Sequence, residues 1–227
     1  MTDVVILGGT GAEGSGLAMR WAHAGLSVVI GSRDADRARA AAARVRESTG
    51  ASAAVAGAPN PEAAASADTV VLTVPFAAQL PTLASVRDQL RLGAVLVDVT
   101  VPLATAVGGR ATRVLGVWEG SAAEQAAAAV PAGVSVVAAF HHLSASHLSD
   151  LGHPVDCDVL VCGDDRTAKD RVRRLVEAIA GAHFVDAGPL ANARIVESIT
   201  ALLVGINIRY RVRGSAIRIT GLEPASA

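Results

Sequence analysis

Aromatic side chains are scarce in this chain of 227 residues: two Trp, one Tyr and three Phe. That excludes a base-stacking platform of the kind single-strand binders use. The core must be built from Ala, Val, Leu and Ile. Cysteine is also nearly absent, and two residues cannot make a disulfide scaffold. Charge of one sign is missing. Twenty basic residues, Lys169 the only lysine among them, and 21 acidic ones leave a formal charge of -1. A pI near 6.6 carries no nucleic-acid footprint. Disorder needs low hydrophobicity and high net charge, whereas 51% of this chain is hydrophobic. The mean hydropathy of +0.42 is high, yet long apolar runs are lacking. Near the C-terminus, the run from Ile199 to Ile208 is interrupted by Thr200 and Asn207 and preceded by Glu197. A membrane span needs about 20 apolar residues. Met1-Thr2-Asp3-Val4 shows no basic region leading to a cleavage site. The expectation is a cytoplasmic protein with reduced thiols and no membrane or nucleic-acid partner.

What is present is a succession of short Val/Ile/Leu runs. Expected strands are Val4–Leu7, Ser27–Ile30, Ser52–Val55, Thr69–Val74, Ala94–Val97, Val134–Ala138, Val159–Val161 and His183–Val185. They are continuous rather than alternating, the mark of strands buried on both faces in a parallel sheet. Helical stretches lie between them: Gly14–Ala24, Ala35–Thr49, Leu80–Leu90, Ala122–Ala129 and Thr167–Ala180. The alternation predicts a doubly wound α/β fold of the Rossmann type. After Gly188-Pro189 the pattern becomes helical from Leu190 to Val212, predicting a small C-terminal helical region. The expected division is a dinucleotide-binding domain over 1–150 and a smaller C-terminal α/β region over 151–227.

Gly9-Thr10-Gly11-Ala12-Glu13-Gly14 is a G-x-G-x-x-G between the first strand and the first helix. Its glycines serve a tight turn, close approach to a pyrophosphate and helix–strand packing. The free N–H groups of the helix start receive the anion. The second strand ends Gly31-Ser32-Arg33, with Arg37 one turn later, where an NAD site usually carries an acid. A hydroxyl and two guanidinium groups suit a 2′-phosphate and predict NADP. The plainer alternative leaves Arg33 and Arg37 solvated, with Asp34 or Asp36 serving the ribose. Later strand ends should carry the nicotinamide and a second substrate: Val74-Pro75-Phe76, Thr100-Val101-Pro102 and Phe140-His141-His142-Leu143-Ser144-Ala145.

Gly8-Gly9-Thr10-Gly11, Gly31-Ser32-Arg33, Leu72-Thr73-Val74-Pro75, Cys162-Gly163-Asp164-Asp165 and Asp186-Ala187-Gly188-Pro189-Leu190 occur here in one order. In that order the chain resembles the NADPH-dependent reductases of coenzyme F420, a deazaflavin hydride carrier. The resemblance runs nearly the whole length. It implies reversible hydride transfer between NADP and the deazaflavin, in a homodimer. By position it implies NADP contacts at Thr10 to Glu13, Ser32, Arg33 and Arg37. It places Val74, Thr100 and Ala145 near the nicotinamide. It gives His141, His142 and Leu143 to the deazaflavin. The family's run is His-Thr-Ile-Pro-Ala or similar; here the proline is lost and a second histidine gained.

Hydride transfer between two carriers needs orientation rather than acid–base help. No essential proton donor is expected, with His142 the only candidate. One histidine of the pair could equally be satisfied by backbone. Metal binding is not expected, because His141, His142, His147 and His153 have no Cys or carboxylate at ligand spacing. Cys157 and Cys162 should point to opposite faces of one strand. Asp164 and Asp165 should cap the helix that follows. Arg209, Arg211, Arg213 and Arg218 form either a solvated helix end or a landing site for the carrier's anionic tail. Phe76 and Phe140 are expected beside the cleft. The competing functions are a dehydrogenase of a small carbonyl or imine and a non-catalytic NADP sensor.

Overall fold

A computed structural model describes residues 2–50 and 54–222. In chain order its elements are β1 (Val4–Leu7), α1 (Ala12–His23), β2 (Val28–Ser32), α2 (Ala35–Thr49), β3 (Val55–Pro59) and α3 (Asn60–Ala64). Next come β4 (Thr69–Leu72), α4 (Gln79–Val86), β5 (Val95–Asp98), α5 (Ala122–Ala129) and β6 (Ser135–Ala138). The chain ends with α6 (Ala145–Ser149), β7 (Cys157–Gly163), α7 (Arg166–Glu177), β8 (Ala182–Asp186) and α8 (Ala193–Tyr210). The strands form one sheet in the order β3-β2-β1-β4-β5-β6-β7-β8.

Successive strand residues serve opposite faces, so the sheet has two cores. Val4 and Ile6 of β1 pack with Leu17 and Trp21 of α1, Val45 of α2 and Val172 of α7. Val5 and Leu7 pack with Ala63 of α3, Leu83 of α4, Ala126 of α5 and Val196 of α8. Both layers are mostly aliphatic, with Trp21 and Phe140 the fully buried rings of the first. Cys157 belongs to the first core and Cys162 to the second, and both are free thiols, as their spacing predicts.

The expectation of an all-parallel sheet is corrected at one seam. β6 and β7 are antiparallel, pairing Ala138 with Cys162, while β7 and β8 are parallel again. A parallel crossover needs a dozen or more residues, usually a helix lying along the sheet. The segment between β6 and β7 holds only the five-residue α6. β7 still reads as a continuous apolar run because both its faces are covered, whatever its direction. The expected strand Ser52–Val55 begins outside the described residues; the described strand is Val55–Pro59. Its sequence, Val-Ala-Gly-Ala-Pro, has little β propensity. Gly57 is needed there, since a Cβ would sit 2.3 Å from the backbone of Ala38. The short helices α3 and α6 escaped the periodicity reading because five residues give it too little to register.

The C-terminal helical stretch Leu190–Tyr210 is long and apolar enough, by length and composition alone, to cross a membrane. Here it is part of the globule. Ala193, Val196, Glu197, Ala201 and Leu203 are buried, and Glu197 accepts the N–H groups of Ala122 and Ala123 at 2.9 and 3.0 Å. That carboxyl caps α5 from another helix. Burial pushes it up to about 8 despite the two donors. Asp165 caps α7 through Thr167 and Ala168 as expected. Asp164 does something else: it accepts the N–H of Leu190 at 3.0 Å and fixes where the C-terminal helix begins.

Candidate functional site

The site lies beyond the carboxyl ends of β1, β2, β4, β5 and β6. β1 turns into α1 through Gly8, whose φ of +80° only glycine adopts freely. The tight turn therefore falls one residue ahead of the G-x-G-x-x-G, on a residue the motif does not count. Gly14 is where helix meets strand: a Cβ would lie 2.5 Å from Thr73 Oγ1 and 2.7 Å from Gly9 Cα. No side chain caps the start of α1. Its first N–H groups are left for an anion, and the loop is a cradle that side chains would fill.

Glu13 sits in the first turn of α1 with Oε1 buried and unpartnered. Burial pushes its carboxyl up to about 8, so at neutral pH it is mostly protonated and presents no negative charge to a pyrophosphate.

A cleft of about 400 Å³ runs along these strand ends. It brings together Thr10, Gly11, Ser32, Arg33, Arg37, Val74 and Pro75, which the sequence placed in one site, and adds Gly8, Asn60 and Thr73. Gly9 in the preceding loop and Ala12, Glu13 and Gly14 in the first turn of α1 do not line it. Of the two acids offered as ribose partners, Asp34 lines the cleft and Asp36 does not. Asp34 caps α2 by accepting from Asp36 and Arg37 N–H, and Asp36 pairs with Arg39. Arg33 forms no ion pair among the described residues, and Arg37 has only a 3.7 Å contact with Asp34. Two exposed cations and the Ser32 hydroxyl thus share this end of the cleft with Asp34, whose Oδ1 is taken by the α2 cap.

Asn60 was not foreseen. It is buried in this cleft, and its Oδ1 has no partner. Its position at the end of β3, directly before Pro61, was the one available signal, and the weak strand hid it.

Thr100 lines neither this cleft nor the next. It is buried, its hydroxyl donates to Asp98 at 2.9 Å, and it accepts from Gln79 Nε2 at 2.7 Å. Asp98 is wholly buried, and desolvation raises it to about 7 even though Thr100 and Gln79 donate to it. This polar knot fixes the end of β5, and Thr100 can reach a ligand only through its backbone or methyl group. Ala145 opens α6.

A second, smaller pocket of about 170 Å³ is lined by His141, His142 and Leu143 with Thr200, Leu203 and Asn207 of α8 and by Gly214 and Ser215. His142 Nε2 lies 2.7 Å from Asp158 O. A carbonyl only accepts, so that nitrogen carries the ring's proton. Burial lowers the pKa of His142, and the neutral ring keeps Nδ1 as a bare acceptor. His141 is buried with both ring nitrogens unpartnered, and burial pulls it down to about 3. A neutral imidazole with an unused donor and an unused acceptor is costly unless a ligand or water completes it.

Phe140 is corrected. It is fully buried and packs edge-on against Trp21, with centroids 5.7 Å apart, so it belongs to the core and not to the cleft lining. Phe76 is half-buried in a single 3-10 turn and also lies off the cleft lining. The four histidines do not converge. His147 and His153 are exposed, and no group of metal-ligating side chains occurs among the described residues. Arg218 leaves the basic cluster by pairing with Asp156 at 2.8 Å, while Arg209, Arg211 and Arg213 stay exposed at the end of α8.

This geometry agrees with what the chain is similar to. Residues 3–102 match the family described as NADP oxidoreductase, coenzyme F420-dependent. An F420-dependent NADP reductase of Methanothermobacter thermautotrophicus is 52% identical over 96% of this chain and 95% of its own. One from Methanothermobacter marburgensis is 48% identical over 96% of this chain and 98% of its own. A crystal structure from Arthrobacter sp. FB24, provisionally described as an F420-dependent NADP reductase, superposes with a TM-score of 0.82 at 25% identity. That match covers 97% of this chain and 100% of the other. With 52% and 48% identity to these two reductases over 96% of its length, the chain belongs to the family of F420-dependent NADP reductases.

Proposed function

We propose that this protein moves a hydride reversibly between NADPH and the deazaflavin coenzyme F420. The observation that carries the reading is the pairing of two clefts beyond the carboxyl ends of one sheet's strands. One is a glycine cradle beside uncommitted arginines; the other is a pocket built around the unpartnered His141.

The carriers, when bound, supply the hydride chemistry themselves. The chain's own residues bind and orient. The uncapped start of α1 and the loop Gly9 to Gly14 receive the pyrophosphate, with Glu13 held neutral beside it. Ser32, Arg33 and Arg37 take the 2′-phosphate. Val74, Pro75, Thr100 and Ala145 face the nicotinamide end, Thr100 through its backbone or methyl. His141, His142 and Leu143 take the deazaflavin. His142 orients rather than donates, because its one proton is held by Asp158 O.

Residues 1–150 serve as the NADP-binding part, and 151–227 complete the deazaflavin cleft. The outer face of α8, with Ile195, Leu202, Ile208 and Tyr210 exposed, suits a homodimer interface. The protein works on small-molecule carriers in the cytoplasm, without nucleic acid or membrane.

The test is optical. The protein is mixed with NADPH and oxidised F420, and loss of the deazaflavin's visible absorbance is followed. Absorbance is expected to fall with NADPH oxidation. Tight NADPH binding with no loss overturns the reading, and a panel of small carbonyls and imines then separates a dehydrogenase from a sensor.

A further inference from the structure

The two half-sites sit on stretches far apart in sequence: the loop 8–14 and the segment 139–145. Helix α1 joins them. Its first turn is the anion-binding end of the loop. Near its other end, the neighbours Arg20 and Trp21 both reach the stretch that leaves β6.

Arg20 is only 4% exposed. Its Nε donates to Leu148 O at 3.0 Å. Its Nη2 lies 2.5, 2.5 and 2.9 Å from the carbonyl oxygens of His147, Asp150 and His153. Nη2 has two protons for three acceptors, so these carbonyls are gathered around one edge of one guanidinium. They are the carbonyl end of α6 and the turn after it. A helix of five residues does not persist by itself, so its position is set by what holds it.

Two further contacts act on the same joint. α1 and α6 meet at Gly16, where a Cβ would lie 2.6 Å from Leu148 Cβ. Trp21 packs edge-on against Phe140, which has a φ of +66°. A bulky residue persists in that region only when its surroundings over-determine it. The chain turns through Phe140 directly into His141.

We propose that Arg20 is a positioning residue that registers the deazaflavin-side segment, His141 to Ala145, against the NADP-binding helix α1. This rests on the functional reading given above. An α-helix rises about 1.5 Å per residue, so α1 is a rod spanning both ends of the joint. Pyrophosphate docked on its first turn and α6 docked on its last turns are then fixed relative to each other. Hydride transfer is sensitive to that distance: reacting carbons must sit about 3–3.5 Å apart, and a misplacement of about 1 Å can cost about 100-fold.

The experiment compares Arg20→Met, which keeps the stem and loses the donors, with Arg20→Lys, which restores some of them. Five quantities are read: thermal stability, the Kd of NADPH, kcat and KM with F420, and the primary isotope effect with NADPH deuterated at the transferred position. In Arg20→Met, NADPH binding should stay within about 3-fold while kcat falls about 10- to 100-fold and the isotope effect rises. Arg20→Lys should recover part of kcat. If Arg20→Met does not fold, Gly16→Ala takes its place, since it keeps Arg20 but pushes Leu148 and α6 outward; the same split is expected. Unchanged kcat and isotope effect in the folded variant overturn the inference, as does NADPH binding lost in step with kcat. Failure of the unaltered protein to reduce F420 overturns the functional reading itself and this inference with it, and is seen before any variant is made.

Discussion

Replacing Arg33 with Ala should abolish most of the preference for NADPH over NADH and leave NADH binding nearly as it was. Arg33 lines the cleft, is exposed, and forms no ion pair among the described residues. A hydrogen bond to a charged group contributes about 1.5–3 kcal/mol, which is about 10- to 150-fold in Kd. Arg37 should matter less. Its side chain is 77% exposed and shares Asp34 at 3.7 Å, so a contribution of about 0.2–1 kcal/mol, or up to about 5-fold, is expected. Fluorescence titration of both nucleotides against the wild type, Arg33→Ala and Arg37→Ala reads these ratios directly. Ionic strength gives a second arm. Between about 0.01 M and 0.15 M salt the Debye length falls from about 30 Å to 8 Å, so the wild-type preference should shrink. Equal weakening of NADPH and NADH by Arg33→Ala would refute the assignment of the 2′-phosphate to this residue. A preference insensitive to salt would refute the claim that exposed cations create it.

Glu13 should make NADPH binding weaken as pH rises through about 8, because ionisation there puts a carboxylate beside the pyrophosphate; Glu13→Gln should flatten that dependence in a titration of Kd against pH. Glu197 is raised from its ordinary value to about 8 in the folded chain, so between these values the folded state holds a proton that the unfolded state has lost. Stability should therefore fall with rising pH across that window, with a slope on the order of 1 kcal/mol per pH unit, and level off above it. Glu197→Gln should reduce the slope by about one proton in denaturant melts at stepped pH. Gly14→Ala places a Cβ against Thr73 Oγ1 and the Gly9 backbone. It should destabilise the protein by about 1–3 kcal/mol and weaken both nucleotides alike, unlike Arg33→Ala.

The dinucleotide half of the site was legible because its signals are local. A strand, three glycines and a helix start follow one another within a few residues, and Ser32 and Arg33 come at the end of the next strand. Turn and capping chemistry act over that same range. The rest depends on partners distant in sequence. Nothing near Thr100 announces that Gln79, 21 residues away, will donate to its hydroxyl and to the neighbouring Asp98. Nothing near His142 announces Asp158 O, which reaches it because β7 runs antiparallel to β6 and extends past the end of it. The direction of β7 was itself hidden, since two-sided burial makes strands of either direction equally apolar.

The shortage of aromatics takes on a positional meaning at this level. In most of the molecule the layers are joined by small side chains meeting at close range, as Gly57 meets Ala38 and Gly31 meets Ala63. Such contacts fix how near two elements lie but, having no large shape to interlock, constrain rotation weakly. The joint between α1 and the end of β6 is different. Trp21 and Phe140, both fully buried, meet there edge to face, and the Trp21 indole N–H is anchored to Leu175 O at 2.8 Å. Large rings with a fixed relative angle resist rotation as well as approach. Two of the chain's few rings thus stand where the nucleotide helix meets the strand leading to His141. In sequence they look like one Trp in a helix and one Phe at a strand end, because a contact between residues 21 and 140 has no local signature. The composition excluded a stacking platform of many rings, and the fold places two of the few rings at the joint between α1 and the strand leading to His141.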